Sequence, residues 1–114
     1  MGEAMNVQHK ELAGGRWAEM SFCGQMANVG SEVSRALNWR AKGKDDYSKK
    51  AAGRALELLD ITISLIKKYS RLKELLRLRE ALVDFFYGVN EYSSSEILWR
   101  KYFDPFNYAV RKKY

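Results

Sequence analysis

Between Trp17 and Ala41 apolar side chains recur at three- and four-residue steps: Phe22, Met26, Val29, Val33 and Leu37. This is the period of a helix with one face turned inward, and it predicts a first helix over those residues. Beside that stripe lies a second one of small residues, Cys23, Ala27, Gly30 and Ser34, which would let another helix approach closely. Gly24 and Gly30 each cost about 1 kcal/mol relative to alanine in a helix interior, so they either have a packing reason or mark a weak point. The pattern breaks at Lys42-Gly43-Lys44-Asp45. Gly43 suits the position just past a helix C-terminus, and Asp45 or Asp46 can accept the free backbone N–H groups of the next helix. A link this short predicts an antiparallel neighbour.

The next periodic stretch, about Asp46 to Tyr69, carries two adjoining apolar stripes: Ala51, Ala55, Leu58, Thr62, Leu65, and Ala52, Leu56, Leu59, Ile63, Ile66. A face that wide belongs to a helix touching two neighbours, at the centre of a bundle. Ser70 is an N-cap or a kink, and Leu72, Leu75, Leu76, Leu78, Leu82, Phe85 and Phe86 extend the pattern to Tyr87. No glycine or proline forces a turn at Ser70, so residues 46–87 read as two helices or as one long one, the turn being favoured in a small domain. Gly88 with Asn90 is expected to close this section as a left-handed cap. Ser93-Ser-Ser-Glu96 matches a capping box and starts a fourth helix. Asp104-Pro105 is expected to end it and open a final short helix through Phe106, Tyr108, Ala109 and Val110. The prediction is an all-α fold: an antiparallel four-helix bundle with a short additional C-terminal helix, residues 16–114 forming one domain behind a loose leader at 1–15.

Composition supports a folded chain, with 46% hydrophobic and 13% aromatic residues in a length of 114. Pro105 is the only proline, which removes the commonest helix breaker. Cys23 is the only cysteine, consistent with a reducing compartment. No run of about 18 apolar residues occurs and Met1–Gly15 lacks the core of a signal peptide, so the expectation is a soluble, cytoplasmic protein without a membrane role.

Charge changes the picture most. Residues 35–80 hold thirteen Lys/Arg against six Asp/Glu, a surplus of +7 in a chain whose net charge is +6. Clustered cations release counterions from a phosphate backbone, which points to a nucleic-acid partner; a solvated bundle face and an acidic protein partner are the competing readings. The basic residues singled out for nucleic acid are Lys49, Lys50, Arg54, Lys67, Lys68, Arg71, Lys73 and Arg77. They cannot all face one way, since 100° per residue spreads them around a helix. Exposed aromatics would add stacking platforms, and Trp39, Tyr47, Tyr69, Tyr92 and Trp99 are available.

Residues for catalysis are scarce. The one histidine, His9, falls in the leader. Cys23 and the serines at 93–95 have no evident base, and read as a small core residue and a helix cap. No phosphate-binding glycine loop or metal-ligand spacing occurs, so no catalytic residue, metal or cofactor is expected. Carboxylate–basic combinations stand out instead: Glu32 with Arg35; Arg54, Glu57 and Asp60; Arg79 with Glu80. Asp60, inside Leu58-Leu-Asp-Ile-Thr-Ile63, reads as an interhelical ion pair, a solvated edge position or a functional carboxylate.

Trp-Ala-Glu-Met-Ser-Phe from Trp17, Asn28-Val-Gly-Ser-Glu-Val-Ser-Arg35, Arg54-Ala-Leu-Glu-Leu-Leu-Asp60, Arg77-Leu-Arg-Glu-Ala-Leu82 and Tyr102-Phe-Asp-Pro-Phe106 together resemble a group of small bacterial helical-bundle proteins. That resemblance brings no catalytic or binding residues with it. In size, helicity and charge the chain is also similar to the four-helix proteins of ribosomal intervening sequences and to accessory variability proteins of diversity-generating retroelements. This second similarity implies an oligomeric RNA- or DNA-binding helper of a reverse transcriptase, not an enzyme. The Arg-x4–6-His motif that a resemblance to helical HEPN ribonucleases would require is missing. The rival expectation is an oligomeric protein–protein scaffold whose charge only keeps it soluble.

Overall fold

The computed structural model describes residues 15–112, and all of its regular structure is helical. The elements are α1 (Arg16–Glu19), α2 (Phe22–Ala41), α3 (Asp45–Leu65), α4 (Tyr69–Tyr87) and α5 (Glu96–Lys112). The leader and His9 lie outside the described residues, apart from Gly15 at the start of α1.

The predicted first helix is divided at Met20-Ser21. Ser21 is extended, and its hydroxyl accepts the Gly24 N–H at 3.0 Å, which starts α2 afresh. The short α1 is pinned rather than continuous: Gln25 donates to the Trp17 and Met20 carbonyls, and the buried Trp17 Nε1 donates to the Thr62 hydroxyl at 3.1 Å. That last bond ties the start of the described chain to the far end of α3.

Gly43 behaves as the sequence predicts. Its φ of +74° allows its N–H to reach the Arg40 carbonyl while the Lys44 N–H reaches Trp39, the paired bonds of a Schellman cap. The next helix starts at Lys44, without a side-chain cap; Asp45 and Asp46 sit inside its first turn, where they complement the helix dipole.

Residues 46–87 form two helices. The break comes earlier than Ser70, because α3 stops at Leu65 and extended backbone at Ile66 and Lys68 leads into α4. Gly88 is not left-handed. Its φ is −106°, and its lack of a side chain matters because a Cβ would lie 3.0 Å from the Asp84 carbonyl oxygen. The left-handed positions are Asn90 and Ser93. Between them the Asp84 carboxylate accepts the N–H groups of Glu91 and Tyr92, and Asn90 brackets Ser94 by two bonds of 2.9 Å.

The start of α5 is shifted two residues from the capping box. Ser95, not Ser93, accepts the Leu98 N–H, and Glu96 pairs with Arg100 rather than reaching back. The helix then runs on through Pro105 to Lys112, so the expected final short helix is the continuation of α5. An interior proline normally disrupts a helix, but here Pro105 is exposed while Phe103 and Phe106 on either side of it are held in one aromatic cluster with Phe22 and Tyr102. Packing overrides the local preference.

Helix α2 is the spine. Its small-residue stripe meets α5, where a Cβ on Gly30 would come within 2.9 Å of the Phe103 side chain. Its other side meets α3, where the buried Ser48 hydroxyl donates to the Ala36 carbonyl at 2.8 Å. The wide apolar face of α3 is covered by α2 and by α4. Leu75, Leu78, Leu82, Phe85 and Phe86 bring α4 into the same core, which Trp99 and Phe103 close from α5. Leu76, read as core from its spacing, is 45% exposed because it turns away from that line.

Candidate nucleic-acid interface

The eight basic residues predicted to bind nucleic acid are not brought together. Lys67 and Lys68 lie in the link after α3, with Arg71, Lys73 and Arg77 following on α4. Lys49, Lys50 and Arg54 lie toward the other end of α3, and from Lys49 to Leu65 that helix rises about 24 Å. The Arg71 guanidinium lies 4.1 Å from the centroid of Phe22, closing one end of the aromatic cluster. The Lys49 carbonyl accepts the Tyr87 hydroxyl, on the side of α3 that faces α4.

Lys50 and Arg54 fall on a different surface, the outer edge shared by α2 and α3. The tight turn at Gly43 sets the end of α2 beside the start of α3, and there Trp39 and Tyr47 stack with ring centroids 4.8 Å apart and planes inclined by 29°. Lys42 Nζ stands 5.4 Å from the Trp39 ring centre and Lys50 Nζ 5.9 Å from that of Tyr47, both within reach of a cation–π attraction. About two turns further along, Glu32 binds two arginines at once: Arg35 Nη1 at 2.7 Å and Arg54 Nε at 2.6 Å. Its side chain is only 12% exposed, against 58% for Arg35 and 50% for Arg54. One carboxylate thus positions two guanidinium groups at the surface and leaves a surplus positive charge.

Helical spacing accounts for this grouping. Glu32, Arg35, Trp39 and Lys42 repeat at three and four residues on α2, and Tyr47, Lys50 and Arg54 do the same on α3. Arg35 and Lys42 are not among the eight basic residues singled out from sequence, and the sequence alone does not pair Trp39 with Tyr47. The available signal was that the two stripes lie on either side of the Gly43 turn.

Three further arginines are engaged in structure. Arg40 donates to the Phe85 carbonyl and lies over the Phe85 ring; Arg100 joins Glu96, Ser34 and Asn38. Arg79 grips Asp60 with two bonds, 2.6 and 3.2 Å, and the hydrogen bond raises its pKa. Asp60 is therefore the interhelical partner anticipated from sequence, and at 50% exposure it also occupies an edge position.

Three tyrosines have raised pKa values. Burial is the main cause for Tyr102, reinforced by its hydrogen bond to Glu74, and for Tyr87, reinforced by nearby Glu57. For the exposed Tyr92 the main cause is the hydrogen bond to Glu80. These groups stay neutral and act as donors that tie helices and the α4–α5 loop together. Among the described residues no group of three or more His, Cys, Asp or Glu gathers where it could hold a metal ion, and no helix is long and apolar enough to cross a membrane.

No family model, curated protein or solved structure matches this chain. The surface itself therefore has to carry the functional reading.

Proposed function

We propose that this chain is a non-enzymatic accessory protein, an antiparallel four-helix bundle that binds RNA or DNA along the α2–α3 edge. The observation carrying this reading is the surface Trp39–Tyr47 stack with Lys42 and Lys50 beside it and the Arg35–Glu32–Arg54 cluster about one to two turns away. Cations attract a phosphate backbone without regard to sequence, and aromatic rings add base stacking, the combination used by general nucleic-acid binders. The bundle geometry is supported by contacts that run in opposite sense along successive helices: Ser48 with Ala36 and Arg54 with Glu32, then Tyr87 with Lys49 and Arg79 with Asp60. The architectural similarity to retroelement accessory proteins makes a cytoplasmic reverse transcriptase the protein partner in this reading.

A second reading, an oligomeric scaffold, is favoured by a different observation. Val89, Ile97 and Leu98 are 82%, 67% and 54% exposed around the α4–α5 loop and the first turn of α5. The α3 face and the small-residue stripe of α2 are covered within one chain, so a homo-oligomer would use this apolar surface instead.

Binding of mixed RNA and DNA oligomers at two salt concentrations separates the two. The nucleic-acid reading expects affinity to fall steeply with salt, because neutralised phosphates release counterions. No binding at low salt overturns it and leaves the scaffold.

A further inference from the structure

Tyr47 is 53% exposed although its ring lies against Trp39. Trp39 covers one face of the ring, and among the described residues the only other group found over it is the Lys50 ammonium. By contrast, the ring contacts of Phe85 with Phe86 and Trp99 lie in the core. The Trp39–Tyr47 stack is thus a surface platform whose outer end carries only the Lys50 ammonium, 5.9 Å from the Tyr47 ring centre on a long exposed side chain that a base can displace.

Building on the nucleic-acid reading above, we infer that this edge takes single-stranded rather than duplex nucleic acid. An unpaired base displaces the Lys50 ammonium from over the Tyr47 ring, stacks there and extends the two-ring stack to three layers, and Lys50 turns to the adjacent phosphate. Lys42, Lys50 and the two arginines held by Glu32 meet the phosphates on either side.

Three features of this edge favour single strands. First, a duplex keeps its base faces inside its own stack, so a lateral aromatic platform can use them only in an unpaired strand, and every base then offers a π-face. Second, charge alone is a weak source of affinity here. Lys42, Lys44, Lys50, Arg35 and Arg54 are interspersed with Glu32, Asp45 and Asp46, so the local surplus is small, and stacking has to supply the rest. Third, the spacing follows a strand: Arg35 stands one helical turn from Trp39 and Arg54 two turns from Tyr47, about 6 and 10 Å along their axes, which puts cations beside the nucleotides next to the stacked base.

The test uses the full chain at low salt with three labelled probes of about 12 nucleotides, within the range one such groove covers: oligothymidylate, oligouridylate and a mixed-sequence duplex. Both single strands are expected to bind about tenfold or more tighter than the duplex. Tyr47→Leu is expected to lower single-strand affinity by about tenfold, the effect of losing one base–aromatic stack, and to leave duplex binding unchanged. Tyr47→Phe keeps the ring and is expected to bind as the parent does. Tyr47→Phe should melt with the parent, and Tyr47→Leu, which loses the contact with Trp39, should stay folded at a cost of about 1 kcal/mol, which a thermal scan confirms before binding is compared.

Equal affinity for duplex and single strands overturns the inference, as does wild-type binding by Tyr47→Leu. Either result, with salt-sensitive binding still present, leaves the broader nucleic-acid reading intact. Absence of binding to all three probes removes both.

Discussion

Two stretches of this chain are rich in basic residues, and the fold treats them in opposite ways. Around Arg35–Arg54 four cations, Arg35, Lys42, Lys50 and Arg54, converge on one edge, because a glycine-capped turn sets two helical stripes side by side and one carboxylate gathers two arginines. Around Lys67–Arg79 they disperse. Arg71 turns to Phe22, Arg79 to Asp60, Lys67 and Lys68 occupy a link, and Lys73 and Arg77 lie on the outer side of a helix whose inner line is leucine. Linear charge density is therefore a poor guide to surface charge density in a helical protein. What decides it is the phase of each residue around its helix and the presence of a counter-charge that holds it in place.

The largest effect expected from this contrast is on stability. Leu75 and Leu76 are adjacent in the basic segment, but Leu75 is fully buried and Leu76 is 45% exposed. Leu75→Ala is expected to cost about 2–5 kcal/mol and Leu76→Ala about 0.5 kcal/mol or less, measured by denaturant unfolding. Similar costs at the two positions would mean that the leucines of this segment do not divide into an inner line and an outer surface, and the contrast between the regions would lose its basis.

Next in size is the effect on binding. Removing three charges from either region lowers the net charge equally, so only local geometry separates the variants. Arg35→Gln combined with Lys42→Gln and Lys50→Gln leaves Glu32 with Arg54 as its partner. It is expected to weaken single-strand binding by about tenfold or more and to flatten the salt dependence by about one contact per lost phosphate partner. Lys67→Gln with Lys73→Gln and Arg77→Gln is expected to weaken it only about twofold, through the long-range field. If the second triple variant loses more than the first, the binding surface belongs to the leucine-rich segment after all.

The sequence was most readable where a local rule and the packing agree. The stripe of Met26, Val29, Val33 and Leu37, the small residues facing α5 and the Gly43 cap all follow from residue spacing and backbone sterics, and each is found in place. It was misleading where tertiary contacts compete with a local signal. Ser95 rather than Ser93 caps α5, because Asn90 and Asp84 organise the preceding loop and leave Ser93 left-handed. Pro105 fails to end α5 because the aromatic cluster spans it. The candidate interface was half legible: Lys50 and Arg54 were found through charge, whereas Trp39, Tyr47, Lys42 and Arg35 come together only when the turn folds two stripes onto one edge. Lys49 and Lys50 look alike in linear order, yet only Lys50 has its ammonium beside Tyr47, while the Lys49 carbonyl accepts the Tyr87 hydroxyl from α4.

The smallest expected effect tests whether counter-charge keeps the leucine-rich segment from joining the proposed surface. Arg79 is held by Asp60 through two hydrogen bonds, with the two side chains 39% and 50% exposed. An ion pair this open is screened by solvent, so Asp60→Ala should destabilise the fold by about 0.5 kcal/mol, and the difference from the parent should shrink further as salt is added. Releasing Arg79 also frees a cation in the middle of the basic segment. If counter-charge is what silences that segment, single-strand affinity should rise slightly, by less than about threefold, since one phosphate contact is gained at most. A loss of stability well above 1 kcal/mol would show that Asp60 holds α3 and α4 together more than its exposure implies. Unchanged stability with lost binding would instead make Asp60 part of the functional surface, and would move that surface from the α2–α3 edge toward the α3–α4 groove.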